Sequence, residues 1–226
     1  MPSIRRYPNV GYDPRKDFAP VGLIATSPLI ILVNQSVAAH NVQELIALAK
    51  TQPGELNYAS AGPGSGIHLG TALFAETAGI NITHVSYKGS GPALADLLGG
   101  HVQIFFSSLP PAVGLVKEGK LRALGVTGLK RSRSFPDVPT VAEQGLPGFE
   151  AVLHYGIVAP AGTPRPIIDK LNVSLRASLS DPIVHDHIAT EGAEPLPTNP
   201  DEYAVDIDRE ETKWSALVRK SGANAK

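Results

Sequence analysis

One glycine-rich stretch, LNYASAGPGSGIHL at residues 56–69, constrains the fold more than any other part of the sequence. Its first five residues read as a short strand, and from Ile67 onward the apolar residues recur at helical spacing. Glycines surround Pro63 between them, and Ser65 occupies the position of a helix N-cap. A strand that turns through glycines into a helix directs several backbone N–H groups, and the positive end of the helix dipole, at one point. The stretch therefore predicts a site for a carboxylate or a phosphate.

This stretch does not match the well-known anion-binding loops. A P-loop needs a lysine after its glycines, and none follows here. The dinucleotide fingerprint G-x-G-x-x-G fails because its last position is Ile67 or Leu69, depending on the register. A nucleophile elbow G-x-S-x-G also fails, because Pro63 lies two residues before Ser65. A generic cradle for a small anion remains, with an ordinary glycine-rich turn as the alternative.

Composition argues against several classes of function. The 226-residue chain has a net charge of −1 with both signs mixed, so it lacks the basic surface of a nucleic-acid-binding protein. It contains no cysteine, which excludes disulfides, a thiolate nucleophile and cysteine metal ligands. The histidines do not have metal-ligand spacing, and no Ser/His/Asp constellation or carboxylate pair accompanies the glycine loop. We therefore expect no enzyme activity, metal, cofactor or nucleic-acid partner.

The middle of the chain alternates between predicted strands and helices, which indicates βαβ units and a mainly parallel sheet. Two glycine-rich loops in this part, at residues 62–66 and 89–91, follow strands. Ligands of such sheets lie beyond the carboxyl ends of the strands, so the two loops are expected to converge. The last third of the sequence reads as helical, which suggests a second lobe. We expect one lobe at residues 34–150 and the other at residues 1–33 plus 151–226.

Seven segments, spread in order along nearly the whole chain, resemble one protein family. They are YDPRKDFAP at 12–20, NYASAGPGS at 57–65 with HL at 68–69, YKG at 87–89, GHVQ at 100–103, GKLRAL at 119–124, PDVPT at 136–140 and APAGTP at 159–164. Together they resemble the solute receptors of tripartite tricarboxylate transporters, the Bug proteins of the bacterial periplasm. The resemblance implies a type II periplasmic-binding-protein fold, in which two α/β lobes close on a small carboxylated solute that then passes to a membrane permease.

The expected ligand-binding residues combine the anion loop with positions matched to the family: Ser60, Ala61, Gly62, Gly64, Ser65, His68, Lys88, Gly89 and Ser107. In the family, the loop at 61–65 and its helix N-terminus hold one carboxylate, partly through ordered water. His68 either donates to the anion or packs against the loop, and Lys88 either supplies positive charge or is solvated. Many members have an acidic residue where Ser107 stands. A serine cannot neutralise an ammonium group, which favours simple carboxylates over amino acids.

The sequence departs from the family at its start. Members carry a signal peptide and an N-terminal βα region that precede the point where this sequence begins, so we expect the first lobe to be incomplete. Strands at residues 21–25 and 152–158 would then be exposed, and self-association through them is expected. Two alternatives stay open: a cytoplasmic carboxylate-sensing or partner-binding module of the same fold, and a truncated fragment that does not bind ligand.

Overall fold

The computed structural model describes residues 11–13 and 15–220, so residues 1–10, 14 and 221–226 of the predicted first lobe lie outside the described residues. The strands are β1 (Phe18–Pro28), β2 (Ile30–Asn34), β3 (Asn57–Ser60), β4 (Thr83–Ser86), β5 (Ile104–Ser107), β6 (Leu121–Val126), β7 (Val152–Pro160) and β8 (Glu194–Pro195). The helices are α1 (Val42–Thr51), α2 (Gly66–Ala78), α3 (Ser90–Leu98), α4 (Leu109–Lys117), α5 (Arg165–Leu179), α6 (Pro182–Thr190) and α7 (Pro200–Lys220). Within the described residues, no helix combines the length and the apolar character needed to cross a bilayer. The predicted α/β class is confirmed.

Polar residues at the helix starts explain where helices begin. Asn41 accepts a hydrogen bond of 2.8 Å from the N–H of Glu44 and thereby caps α1. Asn199 and Glu202 exchange two hydrogen bonds of 2.8 Å at the start of α7. Each interaction satisfies a backbone donor that the first turn of a helix leaves without a carbonyl partner.

The chain divides into two compact units, and the larger sheet belongs to the one formed by residues 27–153. Its strand order is β4-β3-β5-β2-β6. Strand β3 pairs in parallel with β4 and β5, whereas β2 is antiparallel to β5 and β6. The expectation of a mainly parallel sheet is therefore wrong for half of these pairs. Residues 30–33 of β2, IILV, form a continuous apolar run, and burial on both faces produces such a run whatever the strand direction.

The placement of β2 also corrects the predicted lobe boundary at residue 33. Ile30 of β2 lies opposite Ser107 of β5 on one side and opposite Val126 of β6 on the other. Because both of its edges are hydrogen-bonded inside the 27–153 unit, β2 belongs to that unit. Its assignment to the first lobe was wrong.

Aromatic side chains fill the interior of this unit. Phe105 and Phe106 are consecutive in β5 and both are fully buried, so both faces of the sheet are covered. The ring of Phe74 from α2 lies 5.5 Å from that of Phe106 and 6.0 Å from that of Phe149. These contacts fix α2, and with it the glycine-rich turn that precedes the helix, against the sheet.

The other unit takes its described residues from the two ends of the chain, 11–13, 15–26 and 154–220. Its sheet has the order β7-β1-β8, with β1 antiparallel to β8. The buried amide of Asn172 in α5 donates hydrogen bonds of 2.8 Å to the carbonyl groups of Val21 and Thr198. Strand β1 is thus held at the centre of its sheet, and the prediction of an exposed strand at 21–25 is wrong.

Strand β7 ends this sheet within the described chain, and Tyr155 and Ile157 are 47% and 41% exposed. Because an exposed apolar edge strand pairs readily with another chain, we expect the protein to self-associate in a concentration-dependent way. The substitution Ile157→Lys should shift light scattering toward the monomer, since a charged edge resists pairing.

The matched control is Ile183→Lys, which places the same charge on the exposed face of α6. It should leave the scattering unchanged. A wild-type protein that stays monomeric at every concentration, or an equal effect of the two substitutions, would contradict the expectation.

Candidate anion-binding site

The glycine-rich turn between β3 and α2 has the predicted strand–turn–helix form. Ser65 is the N-cap of α2, and its Oγ accepts a hydrogen bond of 3.2 Å from the N–H of His68. Gly62 and Gly64 have φ angles of +124° and +74°, in the region where a side chain is strained. The sequence needs glycine at both positions because the chain reverses here within a few residues.

The N–H groups of the turn are largely used within it. Gly62 donates to Ser60 Oγ at 3.2 Å, and Ser65 donates to the carbonyl of Gly62 at 3.2 Å. Gly64 donates to Nδ1 of His68 at 3.0 Å. These three groups were part of the expected cradle, and each has an acceptor inside the protein.

The backbone N–H groups best placed to bind an anion are therefore the next ones along the chain, at the start of α2. Gly66 and Ile67 are the first two residues of α2, for which the helix offers no carbonyl acceptor, and the Ser65 cap serves His68 instead. Their N–H groups stand at the positive end of a 13-residue helix. Sequence reasoning missed this shift, because it depends on side-chain acceptors that the spacing of glycines does not reveal.

Two further helix N-termini lie at the same edge of the sheet. Strands β3, β4 and β5 are parallel, so their carboxyl ends meet at one edge, and each is followed by a helix. Helix α3 begins after Gly89, whose φ is +129°, and α4 begins after Ser108. Neither N-cap makes a side-chain hydrogen bond to its helix. Three helix dipoles thus contribute positive potential at this edge.

Ser107 is the last residue of β5 and reaches the same edge. It is 1% exposed, and its Oγ has no hydrogen-bond partner among the described residues. Buried hydroxyl groups in proteins are almost always paired. The Ser107 hydroxyl is therefore a candidate donor to a ligand bound at this edge of the sheet.

The segment after β4 supplies the remaining expected residues. Lys88 is exposed, and none of the ion pairs found in the described part of the chain includes it. Beside it, the hydroxyl of Tyr87 donates to Asp96 at 2.6 Å, and this bond raises the pKa of Tyr87 to about 12. Tyr87 is consequently a neutral phenol at physiological pH, and Lys88 provides the positive side chain of this loop.

Beneath the turn, His68 packs against its neighbours. The side chain is buried, its Nδ1 accepts from Gly64, and its ring stacks on His84 with centroids 4.1 Å apart. Ser60 Oγ lies 2.7 Å from Nε2 of His84. Packing of His68 against the loop, one of its two expected roles, is therefore present in the structure.

The structure also brings together three side chains that the sequence did not suggest: His154, Asp206 and Glu210, with ligand atoms within 4.8 Å of one another. His154 Nδ1 lies 2.9 Å from Asp206 Oδ2. Arg209 pairs with both carboxylates, and Trp214 donates to Glu210 at 2.9 Å. The group is therefore a polar cluster in which the contact of His154 with Asp206 ties β7 to α7.

Ser108 provides a comparison that tests the capping hydrogen bond of Ser65. Ser65 and Ser108 are both N-caps with φ of −62° and ψ of 155° and 158°, but only Ser65 makes a capping hydrogen bond. We expect Ser65→Ala to lower the free energy of unfolding by about 1 kcal/mol and Ser108→Ala to change it little. Urea denaturation of both variants checks this, and equal losses would contradict the assigned cap.

The fold and the edge described above are those of an α/β protein that can bind a small anion beyond the carboxyl ends of its strands. A family model described as "Tripartite tricarboxylate transporter family receptor" matches residues 2–223, and the chain belongs to that family. The expected resemblance to the Bug proteins is confirmed, since BugT of Bordetella pertussis is 37% identical over 97% of this chain. The chain spans about two thirds of the length of such curated relatives, covering 67% of BugT.

Solved structures of similar proteins share the fold. An R. palustris protein solved with adipate superposes with a TM-score of 0.86 at 36% identity, over 97% of this chain and 74% of that one. MatC from Rhodopseudomonas palustris, with bound malate, gives a TM-score of 0.82 at 31% identity, over 96% and 75%. The type II periplasmic-binding-protein fold is therefore confirmed, and the relatives are binding proteins rather than enzymes.

Proposed function

We propose that this chain is an extracytoplasmic receptor that captures a small carboxylate-bearing solute in the periplasm for the permease of a tripartite tricarboxylate transporter. The proposal depends on one observation above all. A capped 13-residue helix begins at the carboxyl edge of a sheet, where the buried hydroxyl of Ser107 has no partner among the described residues. Family membership supports the transport role, because the family is named for it.

In the proposed complex, the solute carboxylate accepts hydrogen bonds from the N–H groups of Gly66 and Ile67. An anion at a helix N-terminus is stabilised both by these donors and by the dipole. Ser60, Gly62, Gly64 and Ser65 shape the turn, which places Ala61 beside the anion. Lys88, next to the Gly89 cap of α3, adds the positive charge of an exposed side chain from the neighbouring loop.

The same residues indicate which carboxylates fit. Ser107 is neutral, and none of the expected site residues is acidic. An ammonium group brought into this site would lose water without gaining a carboxylate partner, which is costly. We therefore propose a dicarboxylate without an amino group. The adipate and malate found with two similar proteins are dicarboxylates of this kind.

Titration calorimetry of the full chain with adipate, malate and glutamate tests the proposal. Adipate or malate should bind at least about tenfold more tightly than glutamate, since the ammonium group is left without a partner. Tighter binding of glutamate would contradict the solute class. The absence of binding by every carboxylate would contradict the receptor function and favour a chain that does not bind alone.

Ser107→Ala separates a ligand contact from a structural role. Removing a buried hydroxyl that lacks a partner should leave the free energy of unfolding unchanged or raise it. Affinity for the dicarboxylate should fall about tenfold, because a hydrogen bond to a charged acceptor is lost. Calorimetry and urea denaturation measure the two effects.

The control for this variant is Ser86→Ala, at the exposed end of strand β4, which β3 separates from β5. It should change neither quantity. If Ser107→Ala binds the dicarboxylate as tightly as the wild type, its hydroxyl does not contact the solute.

A further inference from the structure

The ring of His68 has a defined protonation state in this fold. Gly64 N–H donates to its Nδ1 at 3.0 Å, and only an unprotonated ring nitrogen can accept. The proton of the neutral imidazole must then be on Nε2. A doubly protonated ring would bring a second donor against Gly64, so this contact requires neutral His68.

The position of that ring is fixed by its neighbours. The ring of His84 from β4 stacks on it with centroids 4.1 Å apart and planes 21° apart. Tyr58 of β3 packs on the pair, with its ring 5.0 Å from that of His84 and 6.3 Å from that of His68. Burial raises the pKa of Tyr58 to about 12, so this neighbour is an uncharged phenol.

These contacts hold the glycine-rich turn at two points. Ser60 Oγ binds the N–H of Gly62 at 3.2 Å and is itself 2.7 Å from Nε2 of His84. His68 binds the N–H of Gly64, the other glycine with a positive φ. The stacked rings join the two anchors, so the turn is fixed between β3, β4 and the first turn of α2.

We propose that neutral His68 is a positioning residue for the carboxylate site. By accepting the Gly64 N–H, it keeps the turn in the conformation that leaves the first N–H groups of α2 facing the solute. It does not contact the solute itself. This inference rests on the proposed function, because the site that His68 shapes is the proposed carboxylate site.

Three substitutions distinguish this role from simple packing. In His68→Asn, the side-chain oxygen can take the place of Nδ1 as acceptor, so affinity for adipate should stay within about threefold of the wild type. His68→Phe keeps an aromatic ring without an acceptor, and His68→Gln places its oxygen too far along the side chain. Both should weaken binding about tenfold while the protein remains folded.

His101→Phe, at an exposed position outside the turn, is the matched control and should bind like the wild type. Equal losses for Asn and Phe at position 68 would overturn the acceptor role. Wild-type affinity in His68→Phe would overturn it as well.

Two measurements made without ligand test the role of His68 separately from the proposed function. Nitrogen NMR of the wild-type chain should show His68 with its proton on Nε2. Hydrogen exchange should show the Gly64 amide protected in the wild type and in His68→Asn, but not in His68→Phe. A proton on Nδ1, or equal protection in all three proteins, would overturn the inference. Failure of the wild type to bind dicarboxylates would instead reject the proposed function.

Discussion

The parallel pairing of β3 with β4 and β5 is the constraint on which the site depends. Tyr58 lies opposite His84 on one side and Ile104 on the other, so the three strands end together. Each strand turns directly into a helix, and three helix N-termini consequently meet at one edge. An antiparallel partner for β3 would have placed a neighbouring helix at the opposite edge and reduced the positive potential there.

In the turn after β3, most backbone N–H groups already have a hydrogen-bond acceptor inside the protein. Gly62 and Gly64 provide the backbone conformation, but their N–H groups bind Ser60 and His68. Internal bonding makes the turn rigid, and a rigid site loses less conformational entropy on binding. The donors left for a solute are those that every helix leaves at its start. Gly62 and Gly64 therefore influence affinity indirectly, because the turn they form sets the position of the first N–H groups of α2.

The sequence predicted much of this arrangement and missed specific parts of it. Glycines, an N-cap serine and helical spacing from Ile67 are local signals, and the strand–turn–helix they predict is present. Strand direction is not local, so the antiparallel β2 was missed. The acceptor role of His68 depends on the conformation of the turn, and the cluster around His154 joins side chains that meet only in the folded chain. Sequence spacing could not reveal these contacts.

We infer that the first-turn amides of α2 bind the solute carboxylate. The most direct test is an NMR titration of the nitrogen-labelled chain with adipate, following backbone amide signals. We expect the largest shifts at Gly66 and Ile67, with smaller changes at Gly62 and Gly64, whose N–H groups keep their internal acceptors. Large shifts at Gly62 and Gly64 with none at Gly66 and Ile67 would contradict it.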